Sequence, residues 1–115
     1  MIKVYHNPRC GKSRNCLAFL DNNNQEYKII KYLDETPSAE ELKTLLEKLN
    51  LKPMDIIRQK EKVWIENYKN QEISDEALIQ AMINHPILIE RPILIKDNEA
   101  IIARDMDKIE AFFQK

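Results

Sequence analysis

The sequence predicts an α/β fold on three observations. The first 32 residues alternate a β-favouring apolar run, an amphipathic helical stretch and a second β-favouring run. The middle of the chain carries helix-capping signatures followed by leucines at helical spacing. The last third contains short β-favouring runs, a polar turn and one more helical stretch. The chain has 115 residues, so we expect a single domain over residues 1–115.

The beginning of the chain predicts a strand–helix–strand unit. We expect a strand over Ile2–Tyr5 and a helix from residue 11 to about residue 20. The polar residues 21–24 predict a turn, and residues 27–32 favour a second strand. Such a unit implies a right-handed crossover that joins two parallel strands.

A block of helices comes next. Ser38 and Glu41 form a capping-box signature, and the helix after it has one apolar face made of Leu42, Leu45, Leu46 and Leu49. Residues 54–57 form a short segment after Pro53, and a further short helix is indicated by Val63, Trp64 and Tyr68. Ser74 predicts the cap of another helix, whose inner face is expected to hold Ala77, Leu78, Ala81 and Met82.

The final third favours strands again. Residues 86–89 and 92–95 are apolar and β-favouring, and each run opens on a proline. Residues 96–99 predict a turn and residues 100–103 a strand behind it, which gives a hairpin. Asp105 can cap a last helix that buries Ile109, Phe112 and Phe113.

The complete order of elements is β-α-β, a block of helices, then β-β-α. This order matches a thioredoxin-like fold with a mixed four-stranded sheet, flanking helices and a helical insertion after the second strand. In such a fold, a turn containing an X-Pro bond lies beside the loop that follows the first strand. Pro92 is placed for that turn, where a cis bond would be natural.

Composition excludes several classes of function. The net charge of −1 gives no overall attraction to nucleic acid or to an anionic membrane. No apolar run approaches the roughly 20 residues of a membrane span, and a signal peptide's apolar region is absent. Two cysteines without a secretory signal predict a reducing cytoplasm rather than a disulfide framework. The spacing of histidine and cysteine predicts no metal site.

One run after the first strand carries the chemistry: His6-Asn7-Pro8-Arg9-Cys10-Gly11-Lys12-Ser13-Arg14. A cysteine at a strand-to-helix turn lies among unpaired backbone N–H groups, which favour a thiolate together with the helix dipole. Further positive charge could come from His6, Arg9, Lys12 and Arg14. The same groups would hold an oxyanion, so the run predicts a nucleophilic sulfur that meets a tetrahedral oxyanion. The alternative is that Cys10 is a small apolar filler in a basic loop.

Two other residues near Cys10 carry expectations of their own. The only glycine of the chain is Gly11, which suggests a close backbone approach or an unusual dihedral angle there. Cys16 shares a helical face with Leu17 and Leu20, so we expect it to pack in the core. Ser13 occupies the position that a second cysteine would take in a Cys-x-x-Cys pair.

Three arginines outside this run are candidates for oxyanion binding, because the planar guanidinium stays charged and can bond two oxygens at once. They are Arg58, Arg91 and Arg104. Each taken alone is more typical of a solvated surface charge. Arg91 has the strongest case, since Pro92 restricts its backbone among apolar strands. We interpret His85, which precedes Pro86, as a turn residue.

Together these motifs resemble the glutaredoxin-coupled arsenate reductases, within the wider ArsC and Spx superfamily. The shared patterns are His6-x-x-x-Cys10-x-x-x-Arg14, the Arg-x-Lys-Glu motif at residues 58–61 and the Arg-Pro motif at residues 91–92. The resemblance implies a thioredoxin-like fold and the reduction of arsenate to arsenite. It also implies that glutathione is a co-substrate and glutaredoxin a partner. It suggests a cytoplasmic monomer that binds no nucleic acid or membrane and holds no metal or tightly bound cofactor.

The resemblance also assigns roles to residues. Cys10 would attack arsenic(V), and His6 would help to lower the pKa of that cysteine. The oxyanion would be held by Arg58, Arg91 and Arg104, and the substrate site would further include Gly11, Ser13 and Arg14. Ser13 agrees with a family in which an outside thiol resolves the adduct.

The chain departs from the family pattern at the third arginine, where Ala103-Arg104-Asp105 replaces the usual Gly-Arg-Pro. The Asp105 carboxylate could compete with substrate for the guanidinium, or it could be a helix cap that points away.

Two other functions stay open from the sequence. One is a regulator that resembles the Spx proteins and binds RNA polymerase without catalysis. The other is a related thiol reductase that acts on a glutathione adduct.

Overall fold

The computed structural model describes residues 2–113, which form eleven elements. The strands are β1 Ile2–Tyr5, β2 Tyr27–Ile30, β3 Ile93–Lys96 and β4 Glu99–Ile102. The α-helices are α1 Gly11–Asn22, α2 Ala39–Leu49, α3 Lys62–Asn67, α4 Asp75–Asn84 and α5 Met106–Phe113. Two short 3₁₀ turns cover Pro53–Ile56 and Pro86–Leu88.

These elements group into two compact units. The first contains residues 2–35 and 91–113, and the second contains residues 36–90. The single domain expected from the sequence stays a prediction. No helix within residues 2–113 has the length and apolar character needed to cross a membrane.

The first unit is built on a mixed four-stranded sheet in the order β2-β1-β3-β4. β1 and β2 are parallel, as the strand–helix–strand pattern predicts, whereas β3 is antiparallel to both β1 and β4. This is the thioredoxin-like arrangement expected from the order of elements. β2 ends two residues before the predicted Tyr32, which is nevertheless buried and stacks on Tyr5.

The core of the first unit lies on one face of the sheet. Alternate residues of a strand point to the same face, so Ile2 and Val4 of β1 both face α1 and α5. The helices contribute Cys16, Leu20, Ile109 and Phe112 to this core. Phe113, which was expected to be buried, is only half-buried at its edge.

The second unit is helical, and two serine caps define where its main helices begin. Ser38 accepts a hydrogen bond from the Glu41 N–H, and the Glu41 carboxylate accepts one from the Ser38 N–H. This confirms the capping box. Ser74 Oγ likewise accepts from the Ala77 N–H at 3.2 Å. Ala77 itself is exposed, so its expected place on the inner face is wrong, because a residue in the capped first turn lies at the helix end.

Residues 86–89 do not form the β structure that their composition favours. Pro86 occupies the first position of a 3₁₀ turn, where its fixed φ suits a helical conformation. Only Ile89 pairs in β fashion, in an isolated antiparallel bridge with Ile57. His85 ends α4 immediately before this turn, as predicted.

Candidate active site

The sheet register brings three segments of the first unit to one edge. Tyr5 pairs with Ile93, and Ile93 pairs with Ile102. The Cys10 loop follows Tyr5, the cis Arg91–Pro92 bond precedes Ile93, and Arg104 follows Ile102. Residues far apart in the chain therefore meet where these three strands begin or end.

Cys10 is the N-cap residue of α1, with an extended backbone at φ −96° and ψ 122°. Its N–H donates to the Asn7 carbonyl at 3.0 Å, and its own carbonyl accepts from the Arg14 N–H at 3.1 Å. The Asn7 side-chain oxygen also accepts from the Arg9 N–H, so Asn7 holds both sides of the turn. The cysteine is half-buried and its thiol is free, which suits a nucleophile that must meet a substrate from solution.

Burial is the largest single influence on the pKa of Cys10 and would raise it, but the opposing contributions together outweigh it, so the pKa lies below its ordinary value. The backbone N–H groups of Ser13 and Lys12, in the first turn of α1, lower the pKa because they stabilise the thiolate. The positive charges of Arg91 and Arg104 also stabilise the thiolate. The surroundings of Cys10 therefore favour the thiolate, and the side chain is not an apolar filler.

Arg91 and Arg104 are linked as well as adjacent to the thiol. Arg104 Nη1 donates to the Arg91 carbonyl oxygen at 3.0 Å, and both residues are half-buried. The Ala103 N–H donates to the Pro92 carbonyl at 2.8 Å, which ties the same two segments together. The cis bond expected at Pro92 from the likeness to a thioredoxin fold is present. Two of the three candidate arginines therefore act electrostatically on the Cys10 thiol and are joined to each other.

Asp105, next to Arg104, caps the start of α5. Its Oδ1 accepts from the Asp107 N–H at 2.9 Å, and its carbonyl accepts from the N–H groups of Lys108 and Ile109. Of the two possibilities open from the sequence, the helix cap is the one that the structure contains.

His6 contributes to this site in a different way from the one expected. The residue is 9% exposed, and burial lowers its pKa, which favours the neutral imidazole. Burial therefore works against the positive charge expected from His6, and its effect on the pKa of Cys10 stays a prediction. His6 Nδ1 lies 2.9 Å from Ser13 Oγ, which also accepts from the Asn7 N–H at 3.0 Å.

This contact ties His6 to a fully buried hydroxyl. The Asn7 N–H donates to one lone pair of Ser13 Oγ, which leaves a second lone pair and the hydroxyl proton. Which of these meets His6 Nδ1 depends on the tautomer of the imidazole. Ser13 thus joins the His6 strand end to the first turn of α1, where its backbone N–H meets the Cys10 sulfur.

Gly11 does not have the unusual dihedral that its rarity suggested. Its φ is not positive, and a Cβ built on it would meet only Arg14 Nη2, at 3.7 Å. The distance is an ordinary contact, so the close approach is that of the Arg14 guanidinium rather than of another backbone. The charged side chains of Arg9, Lys12 and Arg14 are all exposed.

Arg58 lies in the second unit, where both its backbone and its side chain are bonded. Its N–H donates to the Leu88 carbonyl at 2.8 Å, and its Nη1 pairs with Glu61 Oε1 at 2.7 Å. Its oxyanion role stays a prediction. The pairing with Glu61, which sequence reasoning missed, could have been found from the i,i+3 spacing of opposite charges.

Cys16 packs in the core as expected. It is fully buried among apolar side chains, and burial raises the pKa of its thiol to about 12.

Asn7 is a site residue that the sequence analysis did not single out, although asparagine before proline is typical of a turn. Within residues 2–113, no cluster of potential ligands could hold a metal ion.

Comparisons with known proteins agree with this geometry. The profile of the ArsC family matches residues 5–112. A Neisseria meningitidis protein named arsenate reductase is 38% identical over 112 residues, which cover 96% of each protein. The Escherichia coli protein YfgD, named uncharacterized, is 40% identical over 110 residues, covering 94% of this chain and 92% of YfgD.

A solved structure shows that the similarity extends to the three-dimensional fold. The arsenate reductase from Vibrio cholerae superposes with a TM-score of 0.90 at 41% identity, covering 96% of this chain and 95% of that protein. Similarity of sequence and of backbone therefore extends over nearly all of the chain, including the Cys10 loop and both arginine segments. The chain belongs to the ArsC family.

Proposed function

We propose that the protein is an arsenate reductase whose nucleophile is the Cys10 thiolate. The observation that supports this most directly is the half-buried sulfur at the start of α1, with two backbone N–H groups and two guanidinium groups around it. A negatively charged nucleophile and a negatively charged substrate repel each other in water. Fixed positive groups at the meeting point lower that repulsion before the reaction begins.

The first step is attack of the sulfur on arsenic(V). A sulfur–arsenic bond forms, and one arsenate oxygen leaves as water after protonation. Arg91 and Arg104 balance the charge of the remaining oxygens, while the N–H groups of Lys12 and Ser13 hold the sulfur in place. Gly11 and Arg14 complete the substrate site in this proposal, because both lie in the first turn beside Cys10.

Two electrons must then reach arsenic, which is still arsenic(V) in the adduct. The glutathione thiol forms a second sulfur–arsenic bond as another arsenate oxygen leaves as water. A glutaredoxin thiolate attacks the glutathione sulfur, so that an S–S bond forms, the bond from that sulfur to arsenic breaks with its electron pair left on arsenic, and water then releases arsenite from Cys10. Over the cycle arsenic(V) gains two electrons, and two thiol sulfurs lose them as they form a disulfide. Cys16 is too deeply buried to be one of these sulfurs, and Ser13 occupies the place of a local partner, so the thiols come from outside. No tightly bound cofactor is required.

His6 and Ser13 are positioning residues in this scheme. The buried hydrogen bond between them ties the end of β1 to the turn that presents N–H groups to the sulfur. Arg58 is proposed as the third oxyanion ligand on the strength of the family motif. Its contact with Glu61 would hold the guanidinium in a single orientation. The two free cysteines fit a cytoplasmic protein, which we propose acts as a monomer.

A coupled assay tests the proposal. Purified protein with glutathione, glutaredoxin and glutathione reductase should oxidise NADPH only when arsenate is present. Cys10→Ser should reduce the rate to background, whereas Cys16→Ser should keep most of it because the second thiol only packs in the core. Normal turnover by Cys10→Ser would contradict the mechanism. No arsenate response in the wild type would contradict the function, and tight binding to RNA polymerase would then favour the regulator.

A further inference from the structure

Asn7 is buried in the loop between β1 and α1, although asparagine is a polar residue that proteins usually expose. Its exposed fraction is only 8%. Burying a polar group is costly unless hydrogen bonds replace those it makes with water. The bonds of Asn7 therefore indicate what this residue does in the loop.

Residues 7–10 form a β-turn that ends on the nucleophile. The Cys10 N–H donates to the Asn7 carbonyl at 3.0 Å, which is the bond that closes such a turn. Asparagine is favoured at the first position of a β-turn, and proline at the second, where Pro8 presets φ. The Asn7 Oδ1 accepts from the Arg9 N–H at 3.0 Å, so the side chain adds a second bond within the same turn.

A third bond joins Asn7 to α1. Its N–H donates to Ser13 Oγ at 3.0 Å, and Ser13 is fully buried. The Ser13 N–H is one of the two backbone groups that lower the pKa of Cys10, and the other belongs to Lys12. Asn7 is therefore bonded both to the residue that carries the sulfur and to a residue whose N–H stabilises the thiolate.

We propose that Asn7 is a positioning residue for the nucleophile: its turn fixes the Cys10 backbone against the first turn of α1. The inference rests on the proposed role of Cys10 as the nucleophile, but it does not depend on arsenic as the atom attacked. The backbone N–H groups stabilise the thiolate only if Cys10 is held at the right place, because a hydrogen bond weakens steeply as its angle departs from linearity. Arg91 and Arg104 belong to other segments, so their electrostatic effect does not require Asn7.

The test measures the rate of Cys10 alkylation by iodoacetamide against pH in the full-length protein, with mass spectrometry to identify the modified residue. Asn7→Ala removes the Oδ1 acceptor, while both backbone bonds of residue 7 stay possible. The midpoint of the Cys10 profile should rise by about 0.4 to 1 pH unit, the range that the loss of one hydrogen bond allows. Asn7→Ser should raise it by less, since a hydroxyl holds the same kind of turn more weakly than an amide does.

Asn23→Ala is the matched control, at the other end of the same helix. Asn23 is the C-cap residue of α1, and its Nδ2 donates to the Phe19 carbonyl at 2.8 Å. This substitution likewise removes one bond between an asparagine side chain and the backbone, but it should keep the wild-type Cys10 profile. Urea unfolding of each variant separates a loss of stability from a change at Cys10.

An unchanged Cys10 profile in folded Asn7→Ala would overturn the inference. Equal shifts in Asn7→Ala and Asn23→Ala would also overturn it, because they would trace the change to a general loss of helix stability. If Asn7→Ala does not fold, Asn7→Ser decides: an upward shift supports the inference and an unchanged profile overturns it.

These results are independent of the coupled arsenate assay. A raised profile in Asn7→Ala, together with no arsenate turnover by the wild type, would remove the proposed function and leave the role of Asn7. Arsenate turnover by the wild type, together with an unchanged profile in Asn7→Ala, would do the reverse.

Discussion

Cys10 and Cys16 lie six residues apart, yet their thiols have opposite chemistry. Cys10 ends a loop, where backbone N–H groups and two arginines favour its thiolate. Cys16 lies one and a half turns further along α1, on the face that packs against the sheet. Burial among hydrocarbon disfavours the charged form, which raises the pKa of Cys16 to about 12.

Alkylation with iodoacetamide should therefore modify Cys10 alone in the folded protein. Because only the thiolate reacts, the rate for Cys10 should reach its plateau at a lower pH than that of an ordinary thiol, whose pKa is about 8.5. Mass spectrometry against pH measures both sites. Cys16 should react only after urea unfolds the protein, and an equal rate at the two cysteines in the native protein would contradict this account.

The neutral His6 makes the stability of the protein depend on pH. Burial lowers the folded-state pKa of His6, so the unfolded chain takes up a proton at a higher pH than the folded chain does. The contribution of His6 is complete above the unfolded pKa of about 6.5 and is lost as the pH falls below it. Urea unfolding should show a smaller loss of stability between pH 7.5 and 5.5 in His6→Gln than in the wild type.

Among the helices, α1 differs from α2 and α4 in how it begins. Serine side chains cap α2 and α4, with acidic residues in their first turns, as is typical of stable helix starts. The cap residue of α1 is Cys10, which makes no side-chain capping hydrogen bond, and its first turn has no acidic residue. The N–H groups that a serine would cap instead favour the Cys10 thiolate. The start of α1 therefore favours ionisation of Cys10 more than stability of the helix.

Two substitutions at Asp105 distinguish its structural role, as the cap of α5, from an electrostatic effect on Arg104. Asp105→Ala should lower the free energy of unfolding by about 1 kcal/mol, because the Asp107 N–H loses its acceptor. Asp105→Asn should keep most of the stability, since the amide oxygen can accept the same bond. Chemical denaturation measures both variants. If Asp105→Asn alone markedly increased arsenate turnover, competition for Arg104 would replace the capping interpretation.

At the scale of the whole molecule, the sheet register assembles the thiolate site from three distant segments. The cysteine loop, Arg91 and Arg104 come together because β1, β3 and β4 are neighbours in antiparallel register. The two arginines stabilise the thiolate of a cysteine that lies more than 80 residues before them in the chain. The dependence of the Cys10 pKa on each arginine can be measured directly.

Arg91→Gln and Arg104→Gln should each raise the pKa of Cys10, because each removes a positive charge that stabilises the thiolate. The alkylation profile against pH should shift upward in both variants. Lys28→Gln, which removes an exposed positive charge from β2, serves as the matched control and should keep the wild-type profile. An unchanged profile in both arginine variants would place the source of the low pKa in the backbone alone.

Much of this arrangement could be predicted from local patterns. The alternation of apolar residues, the serine caps and the proline positions depend on neighbours in the chain, and they indicated the four strands and the main helices. The Cys10 loop was recognisable because a cysteine among basic residues at a helix start has a local physical reason to ionise. Residues 86–88 were misjudged because their apolar composition suits a strand, whereas Pro86 starts a 3₁₀ turn.

The sequence by itself determined that Cys10 begins a helix, that Cys16 shares the helix's apolar face and that arginines stand beside Pro92 and after the last strand. Only the tertiary structure decided which arginines stabilise the thiolate, that burial disfavours the charge on His6 and that Asp105 caps α5. The physical reason is that ionisation depends on burial and on charges brought close by folding. Both are set by contacts between residues that lie far apart in the chain.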